Sequence, residues 1–506
     1  MLVCLCSLFA GLVQAQDSAR LKHSGTYQQG YDFYSRRALT QPLQPVEQYA
    51  IVSASYAWEK GDFVPRQEAA AQREMQFLTE GTRKVKAYRV SGSFAFSRMF
   101  KDSMGYTLRS QVGPAPYYFY SQAKGNWEIS NYKLQGIVSR SLLKDKISVS
   151  VGGDFRAGNA WRSNDPRTEE FNHDVTGETA VHYAINGDHT IGIGGGYRRL
   201  AEENSNEYRN KDNQHDATNN PYLNRIQYGY GLSEIRTTYQ VIERRATGTK
   251  LNAIYRGQFD WGNIAATAEY SEMQSDFYQN PKESNTTRLT YGSFDEDIRH
   301  FDLLWELPRS TGNSWSIRSI YQDHYGKDFQ TELNGNNYIF NEQLFTLQPL
   351  MAHQNTEGLH YEAGLKAGWS KLYRADGTTE HRASYKNADF GIFGGWYISG
   401  KQPENFLKLS AELNWRKNLD AAVTVPSQQE TSFSKEVVYY DYYFHGANYT
   451  ELTGGILYNR QVRNLPFFLK MTLQYRKAKL PDASLAAAEL PGTDRWRSVL
   501  TLGFTL

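Results

Sequence analysis

Charged side chains recur at every second position in several parts of this 506-residue sequence. Asp154 and Arg156 stand two residues apart, and Lys408, Glu412 and Arg416 fall on one set of alternate positions. Residues two apart in a β-strand share one face of the strand. Because charged groups cannot be buried dry unless they are paired, we expect a face that meets water or a polar segment. Such a face favours the passage or binding of a polar solute.

The candidates for this interior face carry both signs of charge, with an excess of basic residues. They are Arg89, Asp154, Arg156, Arg198, Arg256, Glu362, Lys366, Glu412, Arg416, Lys470 and Arg476. Each of them could instead pair with a charge on a neighbouring strand as part of a structural ladder. The sequence therefore singles out none of them as a site.

Diagnostic catalytic motifs are absent from the sequence, which contains no G-x-S-x-G, no H-E-x-x-H and no P-loop. We expect no enzyme and no cofactor, although an active site assembled from distant strand ends is the alternative. The polar loop 202–220, with Asp212, His215 and Asp216, contains calcium-type oxygen ligands without the spacing of a calcium loop. A solvated loop without a metal is the preferred interpretation.

Period-two alternation of apolar and polar residues indicates the elements that must position these charges. It is clear in segments 147–156, 359–369, 407–416 and 467–476, and in the final segment 496–506. Mean hydropathy of −0.65 excludes a polytopic helical membrane protein. One face in lipid and one in water predicts an all-β, transmembrane, antiparallel up-and-down β-barrel.

The number of strands follows from the connections, which alternate between short and long. Eight short turns are predicted at 81–83, 143–146, 186–189, 260–263, 309–313, 353–357, 399–404 and 463–465. Longer polar connections are predicted at 101–126, 201–243 and 420–434. With both termini periplasmic, eight short turns imply about 18 strands, and 16 is the second choice.

The ten tryptophans test this topology, because interfacial rings prefer strand ends at the level of the lipid headgroups. Trp58, Trp127, Trp161, Trp369, Trp415 and Trp496 fall at predicted outer ends. Trp261, Trp305, Trp315 and Trp396 fall at predicted periplasmic ends. The distribution supports a barrel in the outer membrane of a Gram-negative bacterium.

The amino terminus divides into two short segments before the predicted barrel of 46–506. Residues 1–15 are typical of a secretory signal peptide, with a plausible cleavage site after Ala15. Both cysteines, Cys4 and Cys6, lie within it, so we expect no disulfide. Residues 16–45 form either a small hatch in the periplasmic mouth or a disordered tail. They are too few for the large plug of a TonB-dependent receptor.

Two tyrosine-rich clusters fall at the predicted outer side of the barrel. Tyr117, Tyr118 and Tyr120 lie in a predicted loop, and Tyr440 and Tyr442 lie at a predicted strand-to-loop transition within 437–444. Such rings could stack on sugars or pack a loop into the barrel mouth. Girdle and loop packing is the preferred interpretation.

Several short motifs resemble an uncharacterised family of Bacteroidota-type outer-membrane β-barrel proteins. They are the turn at Glu80 and Gly81, Tyr88, the strand 92–97 and the C-terminal strand. The resemblance covers nearly the whole mature chain. It implies the barrel and its location, and it transfers no functional residue.

The sequence thus predicts a channel or transport barrel for a polar solute or nutrient, acting alone or as an accessory to a larger uptake system. The alternative is a non-transporting scaffold or adhesin that binds partners through its outer loops. Expected partners are the outer-membrane lipid bilayer, the barrel-assembly machinery and an uptake-system or surface lipoprotein. Net charge of +2 gives no indication of nucleic-acid binding.

Overall fold

The alternating segments form one antiparallel sheet of 18 strands that closes on itself. The computed structural model describes residues 23–35, 37–214, 220–236, 240–279, 289–308, 311–355, 358–400, 405–463, 465–482 and 484–505. The sheet closes because the first strand pairs with the last, with Ile51 opposite Thr505 and Lys60 opposite Trp496. The predicted barrel of about 18 strands is confirmed.

The barrel strands and three short additional strands are numbered together in chain order. They are β1 Gln48–Lys60, β2 Ala71–Val85, β3 Tyr88–Met104, β4 Tyr118–Tyr120, β5 Gly125–Leu142, β6 Ile147–Arg162, β7 Arg167–Ala184, β8 His189–Glu207, β9 Arg225–Gln227, β10 Ser233–Ile235, β11 Gln240–Phe259, β12 Gly262–Gln279, β13 Leu289–Leu307, β14 Gly312–Gln330, β15 Tyr338–Asn355, β16 Gly358–Asp376, β17 Arg382–Ser399, β18 Phe406–Thr424, β19 Asn448–Val462, β20 Leu465–Lys479 and β21 Asp494–Thr505. Strands β4, β9 and β10 form a separate three-stranded sheet.

The helices of the described residues are short. They are α1 Gly25–Tyr34, α2 Tyr439–His445, the 3₁₀ helices Gln41–Leu43, Lys211–Gln214 and Ser427–Gln429, and the π-helix Ser434–Val438. In the part of the chain that the structure describes, no helix is long and apolar enough to cross a membrane.

The two ends of the barrel differ in their connections. At one end, the turn end, short connections join β2 to β3, β5 to β6 and β7 to β8, and the chain also enters β1 there. The other end, the loop end, carries longer connections such as 105–124 and 425–447. Seven of the eight predicted turns overlap connections between consecutive strands.

The first predicted turn is wrong. Gly81 lies inside β2, where it pairs with Ala50 on one side and Gly92 on the other, so it continues the ladder. The actual turn is at Lys86, which takes the left-handed conformation with φ of 56°. A glycine in a sequence often indicates a turn. Here Gly81 instead lies between two other small residues, Ala50 and Gly92, on the adjacent strands.

The outward side chains of the barrel are apolar and exposed, as a lipid-facing surface requires. Ile193 and Leu251 are 71% and 69% exposed. Seven tryptophans are also exposed: Trp58, Trp161, Trp261, Trp315, Trp396, Trp415 and Trp496. Trp127 lies at the loop end of β5, as predicted, but it is only 2% exposed and packs with Met104 and Ile129, so it does not face the lipid headgroups.

A packed cluster of aromatic residues lies inside the loop end, and we call it the lid. It combines the connection 105–124, the strand β9 and the helical connection 425–447 with inward residues of the wall. Its fully buried members include Tyr117, Tyr120, Tyr228, Phe294 and Tyr385. Residues 437–444 were predicted as a strand-to-loop transition, but they form the end of the π-helix and most of α2.

A second element lies inside the turn end. Residues 23–45, as far as they are described, form α1 and the 3₁₀ helix Gln41–Leu43, and we call them the plug. Helix α1 packs against β13, β14 and β15, and the 3₁₀ helix packs against β5 and β6. The division of the chain at residues 15 and 45 stays a prediction.

The barrel interior as candidate functional site

Most charged side chains of the interior pair with a charge on a neighbouring strand. The Arg198 guanidinium donates to both carboxylate oxygens of Asp174, at 2.9 and 2.8 Å. Arg416 does the same to Asp389, at 2.7 and 3.0 Å. Bidentate pairs of this kind fix the orientation of the guanidinium plane. These pairs stiffen the wall. The side of each pair that does not contact the wall faces the barrel interior.

Other predicted interior residues join the same kind of ladder. Arg476 donates to Glu451 through two nitrogens, at 2.9 and 2.6 Å, and Lys366 pairs with Glu412. Arg156 instead pairs within its own strand, β6, and donates from Nε to Asp154 at 2.8 Å. The pairing shows that an interior charge is usually balanced by its neighbour on the wall.

Several acidic partners of this ladder were missed in the sequence. Asp174, Asp389 and Glu451 are the carboxylates of Arg198, Arg416 and Arg476. Adding these three acids to the predicted residues reduces the basic excess without removing it. Alternation places each acid on an inward face, but only the register between strands shows which base it meets.

Three predicted residues hydrogen-bond the plug or Val46, which directly follows it. The Arg89 guanidinium donates to the Val46 carbonyl next to the plug. Arg256 hydrogen-bonds the Tyr34 hydroxyl of α1, and Tyr34 is buried, which raises its pKa. Glu362 accepts from the Gly25 backbone N–H at 2.9 Å. Lys470, also predicted, lies close enough to Lys408 for their charges to repel.

The start of the plug is held by a cluster that we call the clamp, formed by Glu362, Tyr397 and Lys408 of three adjacent strands. The Tyr397 hydroxyl donates to Glu362 at 3.1 Å, and Lys408 forms an ion pair with the same carboxylate. Lys408 also donates to the His23 carbonyl at 3.1 Å. Glu362 thus lies at the N-terminus of α1, where a carboxylate is favourable.

The rest of the plug is attached by single polar contacts to many strands. The Ser316 hydroxyl donates to Gln29 at 2.6 Å, and the Ser150 hydroxyl donates to the Ala38 carbonyl at 2.6 Å. Arg37 donates to Glu269 at 3.2 Å. A small apolar cluster adds to these contacts; it contains Phe33, Tyr34, Leu39, Leu43, Ala180, Ile254, Ala265 and Leu304. One continuous segment therefore closes much of the turn end.

The lid is held by buried carboxylates as well as by rings. Asp376 accepts from five backbone N–H groups, those of Tyr230, Gly231 and Leu232 on one oxygen and of Thr378 and Thr379 on the other, at 2.9 to 3.1 Å. Asp328 accepts from the Tyr117 hydroxyl at 3.0 Å. Carboxylates satisfied in this way fix the loop backbone in one conformation.

The predicted loop aromatics belong to this packing. Tyr117, Tyr118, Tyr120 and Tyr440 are buried, and Tyr442 is half-buried. Tyr117 contacts the rings of Tyr228 and Phe277, and Tyr120 contacts Phe433, so these two rings pack loops into the barrel mouth.

Two titratable groups of α2 are buried in the lid region. Burial raises the pKa of Asp441 to about 6, and the backbone N–H of Arg66, which donates to its carboxylate at 3.2 Å, opposes part of this rise. Burial lowers the pKa of His445 to about 3. The lid therefore carries an acid that is protonated easily and a histidine that stays neutral.

Several cavities lie within the described part of the interior, and three of them are lined by the paired charges. The outer cavity, of about 700 Å³, begins among Glu68, Gln111 and Gly113 at the loop end, beside the lid. The inner cavity, of about 390 Å³, reaches Arg37 of the plug. The two share a set of lining residues: Lys133, Arg156 and Asp174. The two cavities thus adjoin at these residues and together reach from the loop end to the plug, and we call them the polar path.

The third cavity, the side cavity, has a volume of about 670 Å³ and is lined by β15 to β20. Its bases Lys366, Arg416 and Arg476 each have a carboxylate partner of their own. The side cavity therefore has a balanced lining.

The loop suggested for calcium gives no metal site in the described residues. Asp212 lies in the 3₁₀ helix Lys211–Gln214, whereas His215 and Asp216 lie outside the described residues. Within the described ranges, no group of three or more histidine, cysteine, aspartate or glutamate side chains could hold a metal ion.

Comparison with solved structures gives likenesses of fold at low identity. The ferric yersiniabactin uptake receptor of Yersinia pestis is 7% identical, with a TM-score of 0.43, and the match covers 94% of this chain and 84% of that one. The ferric preacinetobactin receptor of Acinetobacter baumannii is 8% identical, with a TM-score of 0.40 and the same two coverages.

Sequence comparison gives a family without an assigned activity. A search of curated proteins finds no match to this sequence. Residues 38–506, which include the whole barrel, match DUF6850, described as a family of unknown function. The chain therefore belongs to the DUF6850 family.

Proposed function

We propose that this chain is a gated outer-membrane transport barrel for a small polar solute in a Gram-negative, Bacteroidota-type cell. The observation that carries the proposal is the polar path of two cavities, which starts beside the lid and ends at the plug. A closed scaffold has no need of polar cavities along its interior. The charged side chains of the path's walls are paired, so water or a polar solute can contact them without the cost of desolvating an unpaired charge.

The turn end faces the periplasm in this proposal. Outer-membrane barrels have short periplasmic turns and longer outer loops, and the short turns here lie at the end where the plug enters. The solute would then enter beside the lid and leave past the plug. The lipid bilayer and the barrel-assembly machinery are implied partners, and a periplasmic uptake component that displaces the plug is the further partner we propose.

The contacts of the plug are compatible with reversible release. They are mainly single hydrogen bonds from one continuous segment, and water can replace each one at a small net cost. The clamp at Glu362 is the densest group of them. Loss of the clamp should therefore favour the open state.

A solute-uptake assay in liposomes tests this function. The variant Glu362→Gln/Lys408→Met removes the ion pair of the clamp without leaving an unpaired charge. The control Lys366→Met/Glu412→Gln removes a comparable pair of the side cavity. We expect faster arabinose entry through the clamp variant than through the parent chain, and no change in the control. Equal entry in all three folded proteins would contradict a plug-gated path.

A surface scaffold or adhesin is the second candidate function, and the lid is the observation that favours it. The lid fixes three loop connections in a packed core, which would present a constant outer surface to a partner. If the clamp variant folds and admits no solute, this function takes precedence.

A further inference from the structure

The junction between the outer and inner cavities has an unusual arrangement of charge. Lys133 of β5, Arg156 of β6 and Arg198 of β8 meet two carboxylates, Asp154 and Asp174. Lys133 and Arg156 lie directly opposite each other on adjacent strands. Like charges in that position destabilise a sheet, so their placement on the path calls for a reason other than stability.

The two opposed cations share a single carboxylate. Asp154 is 3.5 Å from the Lys133 ammonium and 2.8 Å from Arg156 Nε. Asp174 is taken up by the bidentate pair with Arg198. The junction therefore has three cations for two carboxylates. This excess is confined to these five side chains, because the rest of the inner cavity is lined by Glu178, Glu269, Glu272 and Glu296 against Arg37 and Lys250.

The cations of the junction lie in front of the acids. The side chains of Lys133 and Arg156 are 40% and 55% exposed, whereas those of Asp154 and Asp174 are 14% and 10% exposed. In the described part of the chain, Nε is the nitrogen of Arg156 for which a hydrogen bond to protein is found. The other guanidinium N–H groups are placed to meet a solute in either cavity.

We propose that the junction binds the anionic group of the transported solute, a carboxylate or a phosphate. Lys133 supplies a point charge and Arg156 supplies in-plane donors, and charge-assisted hydrogen bonds of this kind are the strong ones. This inference names a solute class for the proposed transport function and rests on it. The binding step itself lies on the loop side of the plug and needs no movement of the plug.

The side cavity shows what a balanced lining looks like. Lys366, Arg416 and Arg476 each have their own carboxylate, so no excess charge is left for a solute. Anion selectivity should therefore depend on the junction and not on bases spread over the whole interior. Arg256 and Arg416 were predicted to face the interior together with Arg156. Arg256 contacts Tyr34 of the plug, and Arg416 lines the side cavity.

Calorimetric titration of the purified full chain with inorganic phosphate at low salt tests the junction. We expect saturable binding that weakens by about tenfold or more in Lys133→Gln and in Arg156→Gln, since each removes the excess charge. In Lys133→Gln, Asp154 keeps its bond to Arg156, and adding Asp154→Asn restores the excess charge. The double variant should regain binding, which a merely structural role would not produce. Lys366→Gln is the matched control.

The outcomes separate this inference from the transport function. Absence of saturable phosphate binding in the parent chain would overturn the anion site, as would an equal loss in the control or no recovery in the double variant. Each variant is first shown to fold by its heat-dependent shift on gels. Phosphate binding together with equal arabinose entry in the parent, clamp and control proteins would overturn the plug-gated transport function and leave the junction as an anion site that takes no part in transport.

Discussion

The lid and the plug close opposite ends of one barrel in different ways. The lid is a large apolar cluster from several distant parts of the chain, fixed by carboxylates such as Asp376 and Asp328. The plug is one segment attached by separate polar contacts and a small apolar cluster. Burial of apolar area contributes most of the free energy of such packing. We therefore expect the lid to behave as part of the fold and the plug to be released from it.

The largest expected effect on stability comes from truncating one buried aromatic side chain of the lid and comparing it with the same change in the plug. Phe294→Ala in the lid should lower the free energy of unfolding by about 3 to 5 kcal/mol, because it leaves a cavity in a fully buried cluster. Phe33→Ala in the plug is the matched change, and it should loosen the plug while the barrel keeps its melting behaviour. The temperature at which the folded gel band is lost measures both. Equal losses would contradict the distinction.

The second effect concerns the carboxylate that fixes the loops of the lid. Asp376→Asn keeps the volume but turns an N–H₂ group towards backbone N–H donors. We expect a loss of about 3 kcal/mol in the free energy of unfolding. Asp420→Asn, at an exposed pair with Lys386, should change it by less than about 1 kcal/mol. A denaturant titration in detergent compares the two, and similar midpoints would show that Asp376 is not a lid anchor.

The third effect is a pH dependence of the lid. The pKa of Asp441 is raised to about 6 by burial, so the folded state prefers the protonated form. Its contribution to stability is present below about pH 4 and is lost as the pH rises through 6. Asp441→Asn resembles the protonated acid. It should be more stable than the parent by roughly 2 to 3 kcal/mol at pH 8 and equal at pH 4.

His445 has the opposite dependence and serves as the internal check. Burial lowers its pKa to about 3, so its contribution is present above the ordinary histidine pKa and is lost as the pH falls towards 3. This loss is common to the parent and the Asp441→Asn variant and cancels in their difference. A difference that does not vary between pH 4 and 8 would contradict the buried acid.

The smallest expected effect on stability comes from single cysteine substitutions, which serve as probes of the polar path. Gln135→Cys places a thiol in the inner cavity, and Ala265→Cys places one beneath the plug cluster. A small thiol reagent applied to the loop end should label Cys at position 135 and leave position 265 unlabelled until the clamp is removed. Labelling is read by mass, and equal labelling of both positions would show that the plug does not close the path.

The barrel could be predicted from the sequence, but its closures could not. Alternation through segments such as 407–416 is a local signal, and the strand number followed from short turns such as 143–146. The lid joins Tyr117 to Asp328 across 211 positions, and no local pattern carries such a contact. Tyrosine in a polar loop looks exposed until its partners are known.

The inward-facing residues of the interior could be predicted from the sequence, but their partners could not, because the partners lie on other strands. Arg156 and Arg198 were placed on the inward face by alternation, whereas Asp174 became visible through the register of β7 with β8. The excess charge of the junction depends on Lys133, which lies opposite Arg156. A list of inward residues cannot show such a pair, because register is set by the whole sheet.

Single-channel conductance of the full chain and of a chain lacking residues 23–45 tests the central claim most directly. The plug should hold the full chain closed for most of the time, and its removal should give a stable, open conductance from the path beside the lid. Both proteins must show the same heat-dependent shift on gels. Equal conductance in the two folded proteins, or none in either, would contradict the claim that the plug gates a transport path.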